Sequence, residues 1–316
     1  MPPVRKTLRT AAERALLRHA RPVRRLLLLT GRDRAPTLPD IVQIESTNIC
    51  NAKCVFCPRD EMARDQGVMA WDLFTKVVDE CAQLGIGHVR LHNYGESFVD
   101  RKLVEKIAYA KQKGIPEVGI ISNGSLITEA AARGAVEAGL DAINISLDAA
   151  GKEVFEATRV GLKYDKVMAG VEHILAARAA AGKRHPKLIL SFVRQNNSAE
   201  ERAFIERWSA RADKIHITDL HNWGGTLNRE SDVRYPCYRA WLTFTVLWDG
   251  RVSLCCADFD GRHVLGNLNT QSIAEIWNND LYRQTRRDHL DHGGPAVCQS
   301  CDLPKKDSPL WVRRLL

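Results

Sequence analysis

Cys50-Asn51-Ala52-Lys53-Cys54-Val55-Phe56-Cys57-Pro58 places three cysteines within eight residues, directly after the apolar run Ile41-Val42-Gln43-Ile44. Disulfide frameworks and closed zinc sites use cysteine in twos and fours. A local triplet leaves one coordination position open. The position matters as much as the number, because the triplet sits in the loop that follows a strand candidate.

Outward from that loop, residues 41–220 alternate short β-branched runs with helical patterns. Strands are expected at Ile41–Ser46, His88–Tyr94, Glu117–Ser122, Ala142–Leu147, Lys187–Arg194 and Lys214–Leu220. Helices are expected at 71–84, 101–113, 128–138, 165–181 and 198–211. Such alternation implies parallel strands joined by crossovers. Six units are too few for the eight-unit closed barrel of about 250 residues. The expected fold is therefore α/β, a partial (β/α)6 TIM-like barrel that stays open. In parallel sheets the chemistry gathers at the carboxyl ends of the strands, where the triplet lies.

The pattern changes after Leu220. Residues 223–236 read as a linker. Trp241–Trp248 and Arg251–Cys255 then flank Asp249-Gly250, a strong hairpin signal. A helix is expected over Ser272–Arg287, before Cys298-Gln299-Ser300-Cys301. This small C-terminal β-hairpin-plus-helix domain, within 237–316, is too small for a strong core of its own. Its four cysteines can supply stability by binding a cluster or a metal. The division expected is an arm at 1–36, the barrel at 37–222, the linker, and the tail.

The formal charge of +8 is confined to the arm. Residues 1–34 carry ten Lys and Arg against Glu13 and Asp33, and residues 35–316 balance to zero. Leu8, Ala11, Ala12, Ala15, Leu16 and Ala20 share one face, so the arm reads as a basic amphipathic helix. It suits packing on the body, or peripheral contact with an anionic membrane surface or an acidic partner. No nucleic-acid-reading motif accompanies it, and no nucleic acid is expected as a partner. There is no apolar run of membrane-spanning length and no secretory signal pattern, so a cytoplasmic setting is expected. In such a setting nine cysteines argue for metal ligation over disulfides. Cys81 is the exception, on the apolar face of the first helix.

Read for family, C-x3-C-x2-C resembles the signature of the radical S-adenosylmethionine (radical SAM) superfamily, and further motifs follow in order. Asn93-Tyr94-Gly95-Glu96 is similar to its Gly-Gly-Glu motif, with Tyr94 as a departure. Ser122-Asn123-Gly124 resembles its Thr-Asn-Gly turn, and Ser146-Leu147-Asp148 its Ser-Leu-Asp strand end. The resemblance implies that Cys50, Cys54 and Cys57 hold a 4Fe–4S cluster whose fourth iron binds S-adenosylmethionine. Reductive cleavage then releases a 5′-deoxyadenosyl radical. It further implies that Phe56, Gly95, Glu96, Ser122, Asn123, Ser146, Asp148, Arg194 and Asn196 contact that cofactor.

The tail spacing, Cys237 with Gly250 and Cys255 followed by Cys298 and Cys301, resembles the SPASM/twitch extension. It implies one auxiliary 4Fe–4S cluster with four thiolates, a zinc knuckle being the alternative reading of the spacing. Relatives of this kind act on sugars, aminocyclitols and other polyol-like molecules, or mature ribosomal peptides. A glycan-like or polyol substrate is favoured, since forty residues before the first strand cannot hold a peptide-recognition domain. The expected reaction is dehydrogenation of a carbinol, with the auxiliary cluster as electron acceptor. His216, Asp219 or His221 would take the hydroxyl proton, with Arg194 nearby. Cys256 is the alternative catalytic residue, as hydrogen-atom donor in a redox-neutral epimerisation, and dehydration is a further possibility. The electron donor implied is a flavodoxin- or ferredoxin-type protein.

Overall fold

The computed structural model describes residues 33–35, 38–195, 198–227, 237, 239–291 and 293–303. The basic arm falls almost wholly outside these residues, as does most of the linker. All six expected barrel strands are present: β1 (Ile41–Ile44), β2 (His88–Arg90), β3 (Glu117–Ser122), β4 (Ala142–Ser146), β5 (Lys187–Arg194) and β6 (Lys214–Asp219). They pair in parallel in that order. Between them run α1 (Trp71–Leu84), α2 (Leu103–Gln112), α3 (Glu129–Glu137), α4 (Lys152–Thr158), α5 (Tyr164–Ala180) and α6 (Ser198–Trp208).

The periodicities that marked these elements have direct causes. In β4 the isoleucines Ile143 and Ile145 are fully buried while the alternate residues are half-buried, which is the two-residue repeat of a strand. α1 buries Phe74, Val77, Val78 and Cys81 at helical spacing, so Cys81 is a core side chain. The helix stops at Gly85, in the left-handed conformation at φ +70°. α3 starts where the Thr128 hydroxyl accepts from the Ala131 amide.

The tail adds one feature that the sequence left open and corrects one expectation. The hairpin does not stand apart from the barrel. Its strands β7 (Thr243–Val246), β8 (Arg251–Ser253) and β9 (Val264–Asn267) extend the barrel sheet to nine strands, in the order β9–β8–β7–β1–β2–β3–β4–β5–β6. β7 pairs in parallel with β1, from Ile41 opposite Thr243 to Ile44 opposite Val246. An open barrel leaves the outer edge of β1 with unpaired amides and carbonyls, and the hairpin satisfies them. The small tail thus shares the barrel's core. The helix expected over Ser272–Arg287 is two helices, α8 (Ile273–Trp277) and α9 (Asp280–Leu290), following the single turn α7 (Arg239–Leu242). Asn279 causes the break: its side chain accepts from the Tyr282 amide and starts α9.

Barrel and tail are locked by a buried ion pair. Glu45, just after β1, takes two hydrogen bonds from the Arg64 guanidinium at 2.5 and 2.6 Å. Their side chains are 0% and 4% exposed. Glu45 also accepts from the Trp248 amide, and Arg64 Nε donates to the Phe259 carbonyl at 2.7 Å. Asp260 caps the same segment, accepting from the amides of Ala63 and Arg64. A second buried set, Lys106 with Asp100 and Ser46, ties the start of the cysteine loop to the loop after β2. Among the described residues no helix is long and apolar enough to cross a membrane.

Breaking a buried pair strands a charge, at a cost of about 3–5 kcal/mol, whereas replacing both partners with apolar groups is often nearly neutral. Arg64→Met is therefore expected to lower the denaturation midpoint strongly, and Glu45→Leu with Arg64→Met much less. Equal midpoints for the single and double variants would remove the pair from its locking role.

Candidate active site

Loops at the carboxyl ends of the strands surround a cavity of about 260 Å³. Its walls include Cys50, Cys54, Cys57 and Phe56 from the first loop, and Gly95, Glu96, Ser122, Asn123 and Ser146 from the next three strand ends. Six of the nine expected cofactor contacts, Phe56, Gly95, Glu96, Ser122, Asn123 and Ser146, are thus brought together from elements spread over about a hundred residues. Gly95 is required by its place: at φ +84°, an added Cβ would lie 2.7 Å from the Thr47 and Ile49 carbonyls. That close approach seats the loop after β2 on the cysteine loop, where the Glu96 amide donates to the Ile49 carbonyl.

Glu96 is 1% exposed, and burial raises its pKa. Its carboxylate accepts from the Ser122 hydroxyl at 2.7 Å and from the amides of Asn123 and Phe98. One side chain therefore holds the Ser122–Asn123 turn in place. Asn123 in turn donates to Asn51 Oδ1 at 2.9 Å, beside Cys50. Ser146 faces the cavity with Ser191 behind it.

Asp148 stands differently from expectation. It is 1% exposed, has φ +58°, and is not a lining residue. Its carboxylate pairs with Arg159 and accepts from the Val193 amide at 2.8 Å, so it acts through Arg159. Arg159 had no sequence signal. It lies in a two-stranded ribbon of Lys53–Cys54 with Arg159–Val160, directly opposite Cys54. Its guanidinium sits 5.7 Å from the Phe56 ring and 3.6 Å from Cys54 Sγ, and its Nε is buried with no hydrogen-bond partner among the described atoms.

Of the expected catalytic residues, Asp219 and His221 line the cavity, together with His92, Thr218 and Trp223. Burial pushes His92 down to about 3, so it presents a neutral imidazole. Trp223 donates from Nε1 to the Phe56 carbonyl at 2.8 Å, and the His221 ring packs on it at 3.8 Å. Three candidates lie elsewhere. Arg194 is exposed, bound to Glu201 and, at 3.0 Å, to Asp219. His216 is exposed on β6, in register with Ser191, and does not line the cavity. Cys256 is not a lining residue: its thiol accepts from Arg239 at 3.3 Å and its carbonyl from the Tyr94 hydroxyl at 2.5 Å. Asn196 lies outside the described residues.

Tyr94, the departure in its motif, is the bridge between the two cysteine groups. Its ring packs on Trp223 and Phe259 while its hydroxyl reaches the tail. In the tail, Cys237, Cys298 and Cys301 all lie near enough to Cys255 to influence its ionisation. All nine cysteines are free thiols. Burial raises the pKa of Cys50, Cys54 and Cys255, and takes Cys57 to about 11. Metal ligation takes the proton from such thiols, because a coordinating sulfur is a thiolate.

Among the described residues, no three His, Cys, Asp or Glu side chains close tightly enough to hold a single ion, which needs sulfurs about 2.3 Å from one centre. A four-iron cube is wider. Three thiols at an open cavity and four in the tail, Cys255 and Cys301 buried and Cys237 and Cys298 half-buried, match one such cube each in number, the first with a position to spare.

Comparison with known proteins agrees with this division. Residues 44–180 match the model of the radical SAM superfamily, and residues 237–302 match the SPASM iron–sulfur cluster-binding domain. Curated relatives include a probable GTP 3′,8-cyclase of Sulfurisphaera tokodaii, 28% identical over 183 residues, covering 58% of this chain and 56% of that one. The GTP 3′,8-cyclase of Limosilactobacillus fermentum is 31% identical over 177 residues, covering 55% and 52%. The chain thus spans a little over half the length of these relatives. Among solved structures, BtrN in complex with AdoMet and 2-DOIA aligns with a TM-score of 0.61 at 20% identity, over 84% of this chain and 94% of that one. Streptococcus suis SuiB bound to its precursor peptide SuiA aligns with a TM-score of 0.67 at 14% identity, over 90% and 74%. At these identities the structures share the fold. The two thiol groups, the cavity beside the first of them and the two matched domains agree: the chain carries a radical SAM superfamily domain and a C-terminal SPASM domain, the make-up of an iron–sulfur enzyme that uses S-adenosylmethionine on a 4Fe–4S cluster and holds an auxiliary iron–sulfur cluster.

Proposed function

We propose that this enzyme dehydrogenates a carbinol carbon of a small hydroxylated substrate, a sugar, an aminocyclitol or another polyol. The observation that carries this reading is the make-up of the cavity. One wall holds the thiols of Cys50, Cys54 and Cys57, and the other holds the polar groups of His92, Ser146, Thr218, Asp219 and His221. When bound, the clusters and S-adenosylmethionine supply a carbon radical able to take hydrogen from an unactivated C–H bond, and an acceptor for the electron left behind.

The chain's own residues do the rest. Cys50, Cys54 and Cys57 would hold the cluster that binds S-adenosylmethionine, and Cys237, Cys255, Cys298 and Cys301 the auxiliary cluster. Asp219 takes the hydroxyl proton, with Arg194 Nη1 at 3.0 Å orienting its carboxylate. The neutral His92 imidazole and the Ser146 and Thr218 hydroxyls bond substrate hydroxyls without adding charge. Phe56 and Trp223, pinned together by the 2.8 Å hydrogen bond, shield the reacting carbon from water. The position of Cys256, held by Arg239 away from the cavity wall, supports oxidation over epimerisation. A flavodoxin- or ferredoxin-type protein is the proposed electron donor.

Anaerobic protein given dithionite and S-adenosylmethionine should release 5′-deoxyadenosine, and Cys50→Ala should release none; product from Cys50→Ala would sink the assignment. With a turned-over polyol, Asp219→Asn should lower kcat by about 10²–10⁴, and a variant as fast as the parent would rule out Asp219 as the base. Cys256→Ala should leave dehydrogenation nearly unchanged. A stalled reaction, with deoxyadenosine still formed, would instead mark Cys256 as the hydrogen donor of an epimerase.

A further inference from the structure

Hydrogen-bond donors converge on the sulfurs of the tail. The Ala257 amide points at Cys255 Sγ at 3.4 Å, and the Gly224 and Leu303 amides reach Cys301. These are backbone groups, which any sequence supplies. Cys298 is different, because its Sγ lies 3.7 Å from Nε2 of a side chain, His289.

Several features aim that imidazole. α9 buries Tyr282, Thr285, Arg286 and His289 on one face, which leaves His289 only 5% exposed in the last turn. The Trp241 ring lies on it, with centroids 6.4 Å apart. Past the helix the chain reverses sharply, and the Gly293 and Gly294 amides both donate to the Asp288 carbonyl. At Gly294, φ is +69°, and an added Cβ would sit 3.1 Å from Cys298 Cβ and 3.3 Å from the His289 ring. This glycine lets the Cys298 loop press against the imidazole. Helix, indole and turn together fix Nε2 toward the sulfur.

We propose that His289 donates its Nε2–H to the Cys298 sulfur when that thiolate ligates the auxiliary cluster, and so holds the cluster's reduction potential above the value set by the thiolates alone. The proposal rests on Cys298 being a ligand. A donor to a coordinated sulfur draws electron density from it, which favours the more negative, reduced cluster and raises the potential. His289 is thus a positioning and tuning residue that leaves the substrate untouched, and it makes the auxiliary cluster a better electron acceptor.

The test is a redox titration of reconstituted full-length protein, followed by EPR, with iron counted first. In His289→Leu the auxiliary potential should fall by about a tenfold change in the reduction equilibrium, about 59 mV for one electron. The potential of the cluster on Cys50, Cys54 and Cys57 should not move. His289→Gln, which keeps an N–H donor, should recover most of the loss. An unshifted auxiliary potential in His289→Leu at full iron content overturns the proposal. If His289→Leu fails to hold the auxiliary cluster, unmutated protein with isotopically labelled histidine decides. Its reduced auxiliary cluster must show imidazole nitrogen and exchangeable-proton couplings in pulsed EPR that His289→Gln lacks, and their absence overturns the proposal. Undiminished iron in Cys298→Ala would instead overturn the ligand assignment beneath it.

Discussion

The Glu45–Arg64 pair is the joint on which the two halves of the active site depend. Glu45 leaves β1 and immediately precedes the cysteine loop, while Arg64 follows that loop and reaches the Phe259 carbonyl beside the tail cysteines. Desolvating both charges is costly, so the geometry holds only because their polar atoms have further partners: the Trp248, Tyr94 and Asn93 donors for Glu45 and the Phe259 carbonyl for Arg64. The pair fixes the cysteine loop relative to both the Gly95–Glu96 loop and the hairpin. A shift at this joint would move one thiol group against the other.

Around that joint the site is built by burying polar groups in pairs. Asp148 holds Arg159, Glu96 holds the Ser122–Asn123 turn, and Tyr94 spans the gap to Cys256. Each arrangement uses a low-dielectric surrounding to make a few hydrogen bonds decisive in position. The consequence for function is preorganisation: the cavity walls are placed before any substrate arrives. The Tyr94 ring packs on Trp223 and Phe259, and the Trp223 indole is bonded to the Phe56 carbonyl of the cysteine loop.

Much of this was legible in the sequence because it follows from local rules. All six barrel strands and α1 appear at or within a few residues of their expected limits, since strand and helix periodicity reports burial on one face. The strand-end motifs at 93–96, 122–124 and 146–148 were placed at the carboxyl edge because parallel sheets put loops there. What escaped were contacts with no local pattern. Arg159 gains its place from pairing with Cys54, 105 residues away, and the hairpin gains its place from the vacant edge of β1. The break at Asn279 was missed because α8 and α9 share one apolar pattern across a cap.

The sequence alone determined the chemistry available: three thiols in one loop, four in the tail, and a parallel α/β scaffold to carry them. These depend on residue identity and spacing, which the chain cannot alter by folding. Only the tertiary structure decided which groups meet. It placed Asp219, His221 and His92 on the cavity wall, turned Cys256 toward Arg239, kept His216 and Arg194 off that wall, and set His289 against Cys298. Those outcomes follow from packing and the need to satisfy buried polar atoms, which residue identity and spacing do not reveal.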